Sequence, residues 1–448
     1  MASPSIYPLP PPVRNPRCDI IESTMAEEGP RPSLSDRLKA LGVQVGVSDL
    51  GPARSAGAEP ATAGAEAGEF VIERVVEGRY VPTAGGEAFV TGQDFGPDYR
   101  HGLSSIFPAS PFSVLSAWAH EPRFLELPLE SYAFLDTETS GLAGGTGTYA
   151  FLVGVGRFVE GQFRLQQYFM RDPAEEAALL EGLIDFLAPC AALVTFNGKA
   201  FDAPLLATRY ALHGIPCPFD DYAHLDLLPL ARRLWRDRLP SRALKYLEEN
   251  VLSAPRTAEE VPGYEIPYLY FDYLRTGDAR PLKGVFYHNA MDVVAMAALL
   301  SHVGTILEDP FSELVEHGLD VVALARLFED LGRWEEAARL FEHGLEMDLP
   351  EADFWLAVQR LSRLQKRRGD LETAVRLWEQ AAAKRHVYAH VELAKYFEHQ
   401  RRDYAAALEW TRTAMDLVDE LDVPRYVYNH WKEELEHRRQ RLEEKARR

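Results

Sequence analysis

Residues 134–142 read FLDTETSGL, and their reading decides the fold. The apolar run from Tyr132 to Leu135 has the character of a buried strand, and it ends in Asp136 and Glu138. Side chains two apart on a strand point the same way, so the two carboxylates converge on one face. Their repulsion is unfavourable there unless a cation lies between them.

Two later segments repeat that logic. Around TFNGKAFDAPLL (195–206), ALVTF (192–196) reads as a strand, Asn197-Gly198 as a turn, and FDAPLLATRYAL (201–212) as a helix with Asp202 in or next to its first turn. In YHNAMDVVAM (287–296), His288 and Asp292 lie four apart on one face of an amphipathic helix. Four acids from separate places, with a histidine beside the last, suit two Mg²⁺ or Mn²⁺ ions. Hard cations take carboxylate and water oxygens, and a pair roughly 3.5–4 Å apart can hold both the attacking and the leaving oxygen of a phosphodiester. Each feature alone has a plainer reading: a solvated strand end, a helix cap at Asp202, a structural histidine. Together, in order and on the right element types, they read as a metal site.

The order Asp-x-Glu, Asn-Gly-x-x-Phe-Asp, then a helix bearing the last Asp resembles the DEDD superfamily of 3′–5′ exonucleases, in particular its bacterial branch with appended tetratricopeptide repeats. The likeness covers roughly residues 126–303. It implies a ribonuclease H-like fold, a mixed sheet flanked by helices. It further implies Asp136, Glu138, Asp202 and Asp292 as ligands of two Mg²⁺ or Mn²⁺ ions, Asn197 among the nucleic-acid-binding residues, and release of nucleoside monophosphates. One subclass carries His five residues before the last Asp, another Tyr four before it; here Tyr287 is at minus five and His288 at minus four. His288 is the better general base, because a neutral imidazole accepts a proton near pH 7 whereas tyrosine titrates near 10. Tyr287 is the alternative base.

Charge bears on the substrate. The chain has 48 Lys+Arg against 68 Asp+Glu, a net charge of −20. A field of that sign repels phosphates, so binding single-stranded nucleic acid must rest on a local basic patch and the ions, or on a partner. Residues 231–247, ARRLWRDRLPSRALKYL, supply the candidate patch, with Arg232, Arg236, Arg242 and Lys245 as the proposed contacts. Cys18, Cys190 and Cys217 are few and odd in number, which fits a reduced cytoplasm rather than structural disulfides. No uninterrupted apolar stretch reaches 18 residues, so no membrane span is expected.

Four segments follow. Residues 1–68 read as mostly disordered, with one short helix over PSLSDRLKALGV, and 69–124 as a small β-rich extension whose strands include FVIERVV and EAFVTG. Residues 125–308 form the exonuclease-like domain. There Gly144, Gly145 and Gly147 turn the backbone between the first two strands, and the resemblance implies a structural role for Asp226, outside the ligand set. The aromatic group Tyr264, Tyr268, Tyr270, Phe271 and Tyr273 reads as core in preference to a base-stacking surface. Residues 309–448 read as an all-α, tetratricopeptide-like repeat domain for a protein partner. Three stretches there align on Ala337, Ala374 and Ala407, 37 and 33 residues apart, around the 34 of that repeat. Gly332 and Gly369 fill the inter-helix turn, with Arg402 in their place in the third copy. Such repeats pack mainly on each other, so the domain is expected to be separable.

The function expected from these residues is a two-metal nuclease, a 3′–5′ exonuclease on single-stranded DNA or RNA. The rival is a scaffold whose degenerate nuclease domain binds without hydrolysis.

Overall fold

Ahead of the acidic motifs the chain forms helix α1 (Ile72–Val75), strands β1 (Arg79–Thr83) and β2 (Gly86–Phe95), the two-residue strands β3 (Arg100–His101) and β4 (Ser104–Ser105), and helix α2 (Ser113–Ala119). The computed structural model describes residues 70–109, 112–141, 147–420 and 424–447. The expectations for residues 1–68 and for Gly144 and Gly145 lie outside the described residues. FVIERVV is not a strand. Only Ile72 of its middle is buried, and a single turn of α1 places it.

The elements that carry the acidic motifs follow in order: β5 (Tyr132–Thr139), β6 (Ala150–Val159), β7 (Gln162–Phe169), α3 (Glu176–Leu187), β8 (Ala192–Thr195), α4 (Asp202–Leu212), β9 (Ala223–Asp226), α5 (Leu227–Trp235), α6 (Leu244–Asn250), α7 (Ile266–Thr276) and α8 (Leu282–Glu308). The sheet runs β1-β2-β7-β6-β5-β8-β9. Strands β5, β8 and β9 are parallel, and the other pairings are antiparallel. A mixed sheet follows, with β5 near its centre and the ends of β5 and β8 opening toward one rim. The expected extension does not sit beside this sheet; it supplies two of its strands, with β2 paired to β7 from Phe89↔Phe169 to Phe95↔Phe163.

Helix α8 crosses the sheet. Every residue from Val293 to Gly304 is buried, because sheet and helices cover it on all sides. By length and composition it could span a membrane, which the sequence reading did not foresee, yet 83% of that apolar window is inside the protein. In α7 the aromatic group divides. Tyr270 is fully buried and stacks on Phe151 at 4.0 Å between ring centroids, whereas Tyr264, Tyr268 and Phe271 are exposed.

The C-terminal region is helical: α9 (Gly318–Asp330), α10 (Trp334–Glu346), α11 (Glu351–Arg368), α12 (Leu371–Ala383), α13 (Val387–Tyr396, continued by a π turn over Phe397–Arg401), α14 (Tyr404–Glu420) and α15 (Arg425–Ala446). Gly332, Gly369 and Arg402 take up the left-handed conformation at the three inter-helix turns, with φ of 75°, 86° and 54°. Ala337, Ala374 and Ala407 are each fully buried where the second helix of a pair meets the first.

These helices do not stand apart from the sheet. One apolar cluster runs from Phe134 and Phe163 through Leu234 and Leu299 to Phe328 and Leu361. Arg238 pairs with Asp320 at 2.8 Å, and Arg233 and Arg326 form further pairs, to Asp330 and Asp237, across the same seam. The expected separability therefore gives way to a shared core. A chain ending at residue 308 is expected to be insoluble or to bind hydrophobic dyes, because the inner face of α5 would lose its cover. A chain ending at residue 385 keeps that cover and should stay soluble. A sharp thermal transition in the shorter chain would refute this.

Candidate active site

Asp136 and Glu138 leave the same face of β5, as strand alternation requires. Asp136 is opposite Gly154 of β6, and a Cβ at Gly154 would lie 2.2 Å from Asn289 Oδ1. Only glycine lets α8 approach so closely. Asn289, fully buried, uses that proximity: its Nδ2 donates to Asp136 Oδ2 at 2.8 Å, and its Oδ1 accepts from Gln167 Nε2 at 2.9 Å. Gln167 also donates to the Phe286 carbonyl at 2.8 Å, so β7, α8 and β5 are tied through one polar chain. Gly154→Ala should cost about 1–3 kcal/mol and pull Asn289 off Asp136. An unchanged melting temperature would show that α8 can retreat without penalty.

Asp202 opens α4. The turn before it is set by Asn197, at φ 71°, and by Gly198, where a Cβ would lie 2.5 Å from Thr195 Cβ. Asp226 holds that turn in place. Its Oδ1 accepts from the Asn197 and Leu228 amides at 2.8 and 3.1 Å, and its Oδ2 from the Lys199 amide at 3.2 Å. Asp226 thus caps α5 and positions the loop. Thr137 Oγ1 donates to Asp202.

Asp292 and His288 are neighbours on α8, with His288 Nε2 3.6 Å from Asp292 Oδ2. His288 Nδ1 is 3.0 Å from Glu260 Oε1, though out of line for a hydrogen bond. Tyr287 is turned elsewhere, and its hydroxyl accepts from the Thr257 amide at 3.0 Å. It lines a cavity of about 390 Å³ with Tyr99, His101, Arg256 and Met291.

The residue that sequence reasoning missed is Arg256. It sits between α6 and α7 with 2% of its side chain exposed, and it pairs with Asp292, Glu248 and Glu260. Glu248 is fully buried and also meets His101 Nε2 at 2.9 Å. No local pattern marks an arginine in a loop as the partner of an acid 36 residues on. Asn289 did carry a signal, as an amide between His288 and Asp292 in an apolar helix.

Burial raises Asp136 and Glu138 well above the usual carboxylate range, and the charges of Asp292 and Asp202 add to it. Asp202 is pushed up to about 6, first by burial, against the pull of the Thr137 hydrogen bond. A set of oxygen donors that resist ionisation together has the chemistry a hard divalent cation relieves. Arg256 meanwhile neutralises Asp292 and Thr137 fixes Asp202. Among the described residues no group of three or more His, Cys, Asp or Glu closes into a metal-holding cluster. The donor chemistry of the four acids fits such an ion, and Asp202 and Asp292 each spend only Oδ1 on these partners.

The basic patch divides. Arg232 and Arg236 are exposed, Arg242 donates to the Leu239 carbonyl at 2.8 Å, and Lys245 comes within 3.7 Å of Glu260, one residue removed from the acids.

Residues 133–304, from β5 into α8 and including all four acids, match the family model described as the RNase H superfamily. The uncharacterized protein YprB of Bacillus subtilis (strain 168) is 33% identical over 321 residues, 69% of this chain and 76% of that one. The chain belongs to the RNase H superfamily. Among solved structures, the family B DNA polymerase of the hyperthermophilic archaeon Pyrobaculum calidifontis is similar at 17% identity and a TM-score of 0.32, over 46% of this chain. The RNase H superfamily chain spans 30% of that polymerase's length.

Proposed function

We propose that this chain is a divalent-cation-dependent nuclease that hydrolyses single-stranded nucleic acid from its 3′ end. The observation that carries the reading is the gathering of Asp292 on α8 with Asp136 and Glu138 on β5, where its charge adds to the burial that raises those two carboxyls, beside His288. Membership of the RNase H superfamily supports a nuclease-type activity. Asp136, Glu138, Asp202 and Asp292 would hold two Mg²⁺ or Mn²⁺ ions, which when bound would supply Lewis-acid stabilisation of the phosphoryl oxygens. His288 Nε2 takes the proton of the attacking water as that oxygen bonds to phosphorus and the bond to the 3′ oxygen breaks. Glu260, 3.0 Å from Nδ1, places a carboxylate beside the ring as it takes up that proton. The substrate then gains contacts from Arg232, Arg236, Arg242, Lys245 and Asn197, and the tetratricopeptide-like helices take a protein partner.

One observation favours a second reading, binding without hydrolysis: Asp292 already has a cation in Arg256. The two readings separate when end-labelled single-stranded DNA and RNA are incubated with the full chain, with Mn²⁺ and with chelator. Stepwise shortening that needs Mn²⁺ supports the nuclease. Retention of label with measurable binding supports the second reading.

A further inference from the structure

The inner face of α7 is locked by Ile266 and by the stack of Tyr270 on Phe151. Its outer face does the opposite. Tyr264, in the turn that leads into the helix, is 66% exposed, Tyr268 is 72% and Phe271 is 47%. Two large exposed aromatics on a helix, with a third in the turn that opens it, are uncommon on a protein surface, where such patches mark contact sites. The row starts at the candidate active site. Gly263, next to Tyr264, is so placed that a Cβ there would lie 3.9 Å from His288 Cε1. Tyr268 and Phe271 are three residues apart, about 4.5 Å along the axis, a spacing within the range of successive bases on an unpaired strand.

The charges along this face limit what can bind. Glu265 and Tyr264 are adjacent, and Asp272 is paired with Arg275 at 3.2 Å. The row therefore brings no net positive charge to phosphates, on a chain that already repels them. It offers neutral π faces and, on two of its three members, a hydroxyl. Base stacking on aromatics needs no net positive charge.

We infer that Tyr264, Tyr268 and Phe271 form a stacking track for the unpaired bases of a single strand whose end lies at the His288–Asp292 site. The inference rests on the nuclease reading and names the substrate's conformation: bases splayed on α7, with the duplex excluded. Such a track lets an acidic enzyme hold nucleic acid by base faces, with the phosphates left to the basic residues and the ions.

The test is a triple substitution, Tyr264→Ser/Tyr268→Ser/Phe271→Ser, in the full chain. Circular dichroism checks the fold, and anisotropy of a fluorescent decathymidylate in chelator measures binding. The dissociation constant should rise about tenfold or more, by a similar factor at low and high salt, because stacking is not counterion release. With Mn²⁺, the decamer's kcat/KM should fall further than a trimer's. A decamer affinity equal to wild type, in protein that does shorten the strand, overturns the track and leaves the nuclease reading intact. Wild type that neither binds nor shortens any strand overturns both. A shift from dimer to monomer in sedimentation, with unchanged affinity for the decamer, would assign the row to a second copy of the chain and also overturn it.

Discussion

Asp136→Asn is expected to abolish hydrolysis and at the same time to stabilise the chelator-treated protein at neutral pH. The amide keeps an oxygen for Asn289 Nδ2 and removes a charge that its neighbours oppose. Losing one ligand of a site that supplies several kcal/mol should reduce the rate by about three orders of magnitude. The stability effect has a definite sign. A carboxyl whose folded pKa is raised contributes stability below its unfolded value, and loses it as pH climbs through the folded value. For Asp202, raised from 3.8 to about 6, the window lies between those values, and the loss at neutral pH is ~3 kcal/mol at most. For Asp136 and Glu138 the window reaches higher. Metal-free wild type should therefore melt higher near pH 5.5 than near pH 8, and the difference between wild type and Asp136→Asn should shrink as pH falls. Melting curves in chelator across that range check it. A gap that is independent of pH, or wild-type cleavage by the variant, would end the assignment.

The second large effect belongs to Arg256→Met. Removing one partner of a buried ion pair leaves an uncompensated charge and costs about 3–5 kcal/mol. Here Glu248 would keep only His101, and Glu260 would keep His288 at 3.0 Å and Lys245 at 3.7 Å. Urea unfolding should show a lower midpoint with an unchanged slope. The double variant Arg256→Met/Glu248→Gln should recover part of the loss, since the stranded carboxylate is gone. If the single variant matches wild type, the arginine is not what holds this loop.

The contrast between these two residues shows what could be read from the chain. Asp136, Glu138, Asp202 and Asp292 stand at the ends of short apolar runs, and their element types follow from patterns within a few residues. Arg256 has no such pattern; its meaning comes from Asp292 on a distant helix. Strand β1 lacks clean alternation, and β9 is four residues long, so both depend on the neighbour that pairs with them. The split of α7 into a buried and an exposed aromatic face was likewise invisible, since Tyr268 and Tyr270 differ only in which way the helix is turned. Legibility tracked locality.

The apolar cluster that joins the sheet to α9 and α11 also bears on how such a chain could have been assembled. A cut between residues 308 and 318 would divide side chains that shield one another, so neither half is a ready-made part for exchange with another gene. A substitution at Leu230 or Leu234 is therefore felt in the helices that cover them, and the two regions behave as one packing unit.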